Sequence, residues 1–204
     1  MKEEMKKYEL TSETITVDGH TLHRIRALRT FVCQGGSVKE GHLGGFIEKE
    51  ENLSHDGGCW ISPSAKVYGD AKVYGYARVF GQASVFDSAL VFGYAWVNDD
   101  AMVYGCAKIC DSAMVYGRAK VYGHAEVLGR AKVSGDAEVF DDAIVYECAK
   151  IHGNYRIFGD DKVGGRIECP SPPGLMLAPW QEKCPSIWRN TWGLRYSDIW
   201  GKDW

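Results

Sequence analysis

The chain has 204 residues, 45% of them hydrophobic, and a formal net charge of -3. That length can bury a proper core, and so weak a charge excludes a purely electrostatic hold on nucleic acid as the default mode of action. The first residues, Met1 to Lys7, are charged and lack the apolar run of a signal peptide, and nowhere do about 18 consecutive apolar residues suggest a membrane span, so a soluble, cytoplasmic protein with no membrane contact is expected.

In chain order, residues 1–58 lack any repeat. Tyr8 to Val17 and His20 to Leu28 alternate apolar and polar residues around an Asp18-Gly19 turn dipeptide, which predicts a β-hairpin and hence a small N-terminal β cap. Glycine pairs (Gly35-Gly36, Gly44-Gly45, Gly57-Gly58) then carry the chain past Phe46-Ile47 to Cys59. From 59 to 168 a hexapeptide, Ala-x-Val-x-Gly-x, runs without slipping register, with fifteen alanines six residues apart from Ala65 to Ala149. From 169 onward the composition turns to Cys-Pro-Ser-Pro-Pro-Gly, and five of the seven tryptophans (180, 188, 192, 200, 204) fall in the last stretch. This irregular, Trp-rich tail is read as a second cap or an interaction segment.

Hexads with an aliphatic and a small residue at alternate inward positions predict an all-β fold, a parallel β-helix whose coils stack on one another. Three hexads close one triangular coil of 18 residues, so the repeat makes about six coils, a rod on the order of 28 Å long. Val or Ile fills the core slot at every sixth position from Ile61 to Val163. Two residues later stands Gly, or Asp (87, 99, 111, 141) or Glu147, suited to corners of positive φ. Residues 18 apart should lie one rung apart, and the series Gln82, Asp100, Arg118, Asp136, Asn154 and Lys120, Glu138, Arg156 alternate in charge as adjacent rungs prefer.

The same period maps the surface. On one face the outward ladder is Tyr68, Phe86, Tyr104, Tyr122, Phe140 and Phe158, aromatic at every rung, while the other two faces are mixed. Stacked aromatics stabilise parallel rungs, but an apolar stripe this long exceeds what a monomer usually shows to water. A contact with another subunit or a partner protein is the preferred reading, with Trp188, Trp192 and Trp200 of the tail as further interface residues. At the next corner Cys106, His124 and Asp142 occupy successive rungs, in the order of a nucleophile, its base and the group orienting that base; a solvated polar corner is the competing reading. Seven cysteines with no Cys-x-x-Cys pair signal reduced thiols, the cap histidines (His20, His23, His42, His55) share no metal-ligand spacing, and no metal site is expected. Glu126 and Glu138 interrupt the lysine and arginine line, so no phosphate track for nucleic acid forms.

The unbroken Val-Tyr-Gly-Asp-Ala-Lys hexads resemble the bacterial hexapeptide-repeat left-handed β-helix proteins over residues 59 to about 168. Ser37 to Ile47 and Asn52 to Trp60 look like the N-terminal cap of a narrower group, the YdcK-like acyltransferases of bacterial and phage genomes. The resemblance implies a left-handed coil. It also implies, for enzymes of that superfamily, a trimer that binds acyl-CoA between neighbouring helices with a histidine base, here His124. Yet no loop interrupts residues 59 to 165, and His124 and His152 lack the close histidine pair of zinc enzymes on this fold. The leading expectation is therefore a non-enzymatic binding or assembly protein without a cofactor, a homotrimer or homodimer that could engage a protein or small ligand. The phage occurrence of the group extends this to a host-modulating role. The alternative is an acyl-CoA-dependent acyltransferase with its site at a subunit interface.

Overall fold

The structure, a computed structural model, describes residues 6–165 and the backbone of the strand Glu168–Cys169. It is a parallel β-helix closed at its N-terminal end by a β cap. The cap contributes β1 (Tyr8–Val17), β2 (His20–Ala27), β3 (Phe31–Cys33), β4 (Gly36–Val38) and β5 (Leu43–Ile47). A single 3-10 turn, Glu50–Asn52, leads on to two-residue strands that run from Trp60–Ile61 to Glu168–Cys169. Among the described residues no helix is long and apolar enough to cross a membrane.

The hexads pair at the expected interval of three. Ser84 faces Met102 and Val85 faces Val103 on one sheet, Leu90 faces Lys108 on the second, and Trp96 faces Met114 on the third. Each coil therefore contributes one strand to each of three parallel sheets. About seven turns form rather than six. Phe46 and Ile47, placed in the cap by the sequence, pair in parallel with Lys66 and Val67, and Leu53 bridges to Val73, so the first turn begins before the repeat does. At the other end the third sheet reaches Glu168–Cys169.

The interior shows why the hexad tolerates so little variety. The Val and Ile of the core slot and the alanines two residues before them are shielded from solvent in every coil, and a triangular section this narrow has room for a methyl or a branched side chain but not for both to grow. Tyr155 takes the alanine slot in the last coil and remains 6% exposed. The corners turn through the left-handed region as expected, with φ of 57°, 57°, 56° and 56° at Asp87, Asp99, Asp111 and Asp141 and 55° at Glu147. Aspartate is chosen there for a further reason. Its Oδ2 accepts the N–H of the glycine one coil on, Gly105, Gly117, Gly129 and Gly159, at 3.0 to 3.2 Å. That bond offsets the cost of a Cβ at positive φ.

The outer charges align as the 18-residue period requires. Arg118 pairs with Asp136 at 2.8 Å, Arg156 with Glu138 at 3.1 Å and Lys120 with Glu138 at 3.8 Å. Two pairs break the rule: Lys132 stands in register with Lys150 on the third sheet, and Asp142 is followed 18 residues on by Asp160 at one corner.

The cap hairpin uses both of its sides. β1 and β2 pair antiparallel around Asp18 and Gly19, both at positive φ, and β2 pairs with β5, so the hairpin extends the first parallel sheet beyond its first rung. Alternation along β2 sends Ile25 and Ala27 onto the solenoid core and Leu22 to the opposite side. Leu22 packs there with Phe46 and Tyr68, flanked by Ile15, Val17 and Phe86.

Candidate functional site

The face that carries the aromatic ladder is built from Lys66–Val67, Ser84–Val85, Met102–Val103, Lys120–Val121, Glu138–Val139 and Arg156–Ile157. Each core valine or isoleucine points inward, so the residue after it must point out, and the parallel register stacks those residues at one rung spacing. The rings follow suit. From Tyr68 through Phe86, Tyr104, Tyr122 and Phe140 to Phe158, centroids are 5.0, 4.9, 4.8, 4.9 and 5.3 Å apart and neighbouring planes lie within 12° of parallel.

Such a stack determines what the face can offer. Each interior ring gives both π surfaces to its neighbours, so a partner meets ring edges and the hydroxyls of Tyr104 and Tyr122. A sugar or a nucleobase seeking a flat ring to stack on would find none between Phe86 and Phe140. Burial within the stack raises the pKa of both tyrosines, with Tyr104 further raised by Tyr122 and Glu138, and Tyr122 by Glu138. The hydroxyls thus stay protonated and able to donate. Beside the ladder the Arg156 guanidinium lies 4.9 Å from the centre of the Phe140 ring.

The two ends of the ladder differ. Tyr68, expected to meet another molecule, is only 4% exposed because the chain's own hairpin covers it. Its hydroxyl donates to Asp18 Oδ2 at 2.9 Å, and His20 lies against its ring with centroids 5.2 Å apart. Burial, then the bond to Asp18, pushes its pKa up. The available strip therefore starts at Phe86, and Phe86, Tyr104, Tyr122, Phe140 and Phe158 are each half-buried. The tail residues Trp188, Trp192 and Trp200 lie outside the described residues.

Cys106, His124 and Asp142 do occupy successive rungs at the following corner, all three exposed. Their backbones are locked into the ladder, Cys106 N–H donating to Gly123 O and His124 N–H to Asp141 O, each at 2.7 Å. The side chains are brought to one line and not into mutual hydrogen bonds. Among the described residues no group of three or more His, Cys, Asp or Glu is placed to hold a metal ion.

A second aromatic patch escaped the sequence reading. Tyr76 and Tyr94 stack at a corner with centroids 5.2 Å apart, next to the Tyr74–Phe92 stack at 4.9 Å, and Tyr74, Tyr76 and Tyr94 are the most exposed aromatic residues of the coils. The signal was present as an interval of 18 between two tyrosines, hidden because corner positions otherwise carry polar residues. Tyr74 also borders a shallow groove of about 520 Å³ lined by Glu50, Glu51, Leu53, Ser54, His55 and Lys72.

No protein-family model matches this sequence, and no curated protein matches it.

Proposed function

We propose that the chain is a non-enzymatic binding and assembly protein of the hexapeptide-repeat, left-handed β-helix kind, a straight rod that joins further copies of itself along its aromatic face. One observation carries this reading. Five consecutive half-buried rings, Phe86 to Phe158, form an uninterrupted apolar strip whose π surfaces are already used internally. What remains is a line of edges, which a matching flat face of another rod covers better than a small ligand does. The corner of Cys106, His124 and Asp142 then lies at the rim of that contact. The five described cysteines, Cys33, Cys59, Cys106, Cys110 and Cys148, are all free thiols, which supports a reducing, cytoplasmic setting.

Light scattering on the intact chain tests the proposal. The wild type should have a mass of two or three chains, and Tyr104→Asp combined with Tyr122→Asp should return it to one. An unchanged mass in the double variant overturns the assignment of this face. Saturable binding of acetyl-CoA that is lost in His124→Ala would overturn the non-enzymatic reading in favour of acyl transfer.

A further inference from the structure

The junction between cap and first coil buries a lysine against a cysteine. Lys7 and Cys59 are both fully shielded from solvent. The Lys7 Nζ lies 3.1 Å from Cys59 Sγ, 3.0 Å from the Cys59 carbonyl oxygen and 3.5 Å from the Asp56 carbonyl oxygen. The Phe31 ring covers the amine at 5.3 Å. The thiol itself donates toward the carbonyls of Ser54 and Asp56 at 3.4 and 3.6 Å. Cys59 holds the slot that alanine fills in the coils that follow, so the register that aims alanine inward aims this sulfur at the amine.

We propose that Lys7 and Cys59 are a redox-responsive covalent latch, in which oxidation by hydrogen peroxide joins Nζ to Sγ through a single bridging oxygen. The first peroxide oxidises the thiol: an S–O bond forms as the O–O bond breaks, giving the sulfenic acid and one water. The amine nitrogen then bonds to that oxygen. The amine and the sulfenic acid each lose one hydrogen, and the second peroxide carries both away as two waters. Amine, thiol and two peroxides thus become the N–O–S bridge and three waters. Two equivalents of a dithiol reverse the change, returning amine, thiol and one water.

The surroundings favour this outcome over the usual end-points of a buried thiol. The partners of Nζ are two carbonyl oxygens and the thiol rather than a carboxylate, and an ammonium in such a place is poorly compensated. Burial lowers the pKa of the amine and raises that of the thiol, both shifts toward the uncharged forms, and the fold sets the nitrogen 3.1 Å from the sulfur. Enclosure admits only a small oxidant such as peroxide, and it places the amine beside the nascent sulfenic acid while keeping any second thiol away. The bridge would fasten the start of β1 to the first coil, the point at which the cap closes the rod.

The test treats the full chain with hydrogen peroxide, digests it with trypsin without reductant and weighs the peptides. The expected product is peptide 50–66, which carries Cys59, joined to a peptide with uncleaved Lys7 and heavier than the two together by about 14 Da, one oxygen gained and two hydrogens lost. A dithiol should split it, and neither Cys59→Ser nor Lys7→Arg should yield it. Oxidised wild type should also melt at a higher temperature than reduced wild type, with no such shift in Cys59→Ser. Recovery of Cys59 as thiol, sulfinic acid or disulfide with normal cleavage after Lys7 overturns the proposal. The wild-type digest decides the matter by itself should Lys7→Arg fail to fold.

Discussion

The coils and the cap meet the same requirement by opposite means. A parallel rung must satisfy its backbone N–H and C=O groups, and within the coils the next coil does so, as where Lys120 N–H donates to Ala137 O at 2.9 Å. Side chains there need only fill space. The first coil has no coil beneath it, and where its backbone leaves the ladder, side chains take over. Asn52 supplies the missing amides: its Nδ2 donates to the carbonyls of Gly69 and Ala71 at 3.0 and 2.9 Å, while its Oδ1 accepts the N–H groups of Glu48 and Lys49 at 3.2 and 2.9 Å. Tyr8 similarly donates its hydroxyl to the carbonyls of Glu50 and Leu53. Stability is thus spread evenly along the coils and concentrated in a few polar side chains at the closed end.

The sharpest way to break this contrast is Asn52→Leu. The residue is fully buried and the substitution strands the carbonyls of Gly69 and Ala71 and the Lys49 amide, leaving Glu48 N–H only its longer bond to Val67 O at 3.3 Å, so a loss on the order of 4 kcal/mol is expected in chemical denaturation. Asn154→Leu, on an exposed corner of the coils, should cost less than about 0.5 kcal/mol. Similar losses at the two sites would mean that Asn52 does not substitute for the absent coil.

Next in size is a substitution that asks whether the coils are interchangeable. Val121→Ala and Val103→Ala remove the same two methyl groups from adjacent rungs of one sheet, both at 0% exposure, and each should cost about 2 kcal/mol. The two values should agree within about 0.5 kcal/mol, since the neighbours above and below are the same residue types. A large disparity would show that the coils are not energetically equivalent.

The comparison also explains what could be read from the sequence. Coil geometry is a local rule repeated, so the period of 18, the inward Val121, the corner φ at Asp141 and the Lys120–Glu138 neighbours all follow from counting. The cap obeys no period. Tyr68 belongs to the ladder by register, but the residues that bury it, Asp18 and His20, lie some fifty positions earlier, and only the fold of the hairpin brings them there. Asn52 and Lys7 are polar types that usually face water, and no pattern around them announces burial. The candidate triad was legible as three successive rungs, whereas its lack of mutual hydrogen bonds depends on side-chain direction, which spacing does not carry.

Acid should separate the two regions more gently. Glu48 is held below the usual carboxylate range, first by its hydrogen bond with His20 and also by the Gly69 N–H, and Glu50 is held there by Lys6. For a carboxylate whose folded pKa is depressed, the stabilisation is present above the unfolded value, about 4.3 for Glu, and is lost as pH falls through the folded value. Hydrogen-exchange protection factors of the cap amides should therefore drop relative to those of the middle coils below about pH 4. A uniform drop along the rod would remove these pairs as the cause.

The smallest expected effect belongs to the most conspicuous surface contact of the coils. Arg118 and Asp136 meet at 2.8 Å, but their side chains are 73% and 52% exposed, so water screens the attraction and ordering two long side chains offsets much of it. Arg118→Ala should cost no more than about 0.5 kcal/mol and should become indistinguishable from wild type in high salt. The pair's role is in register: opposite charges one rung apart favour the 18-residue offset, and a slip to the 12-residue offset would set Arg118 against Arg130 and replace attraction by repulsion. A loss several times larger than predicted, persisting in salt, would mean that the coils too rely on particular polar contacts, and the distinction between the self-satisfied rod and its side-chain-sealed end would fail at that point.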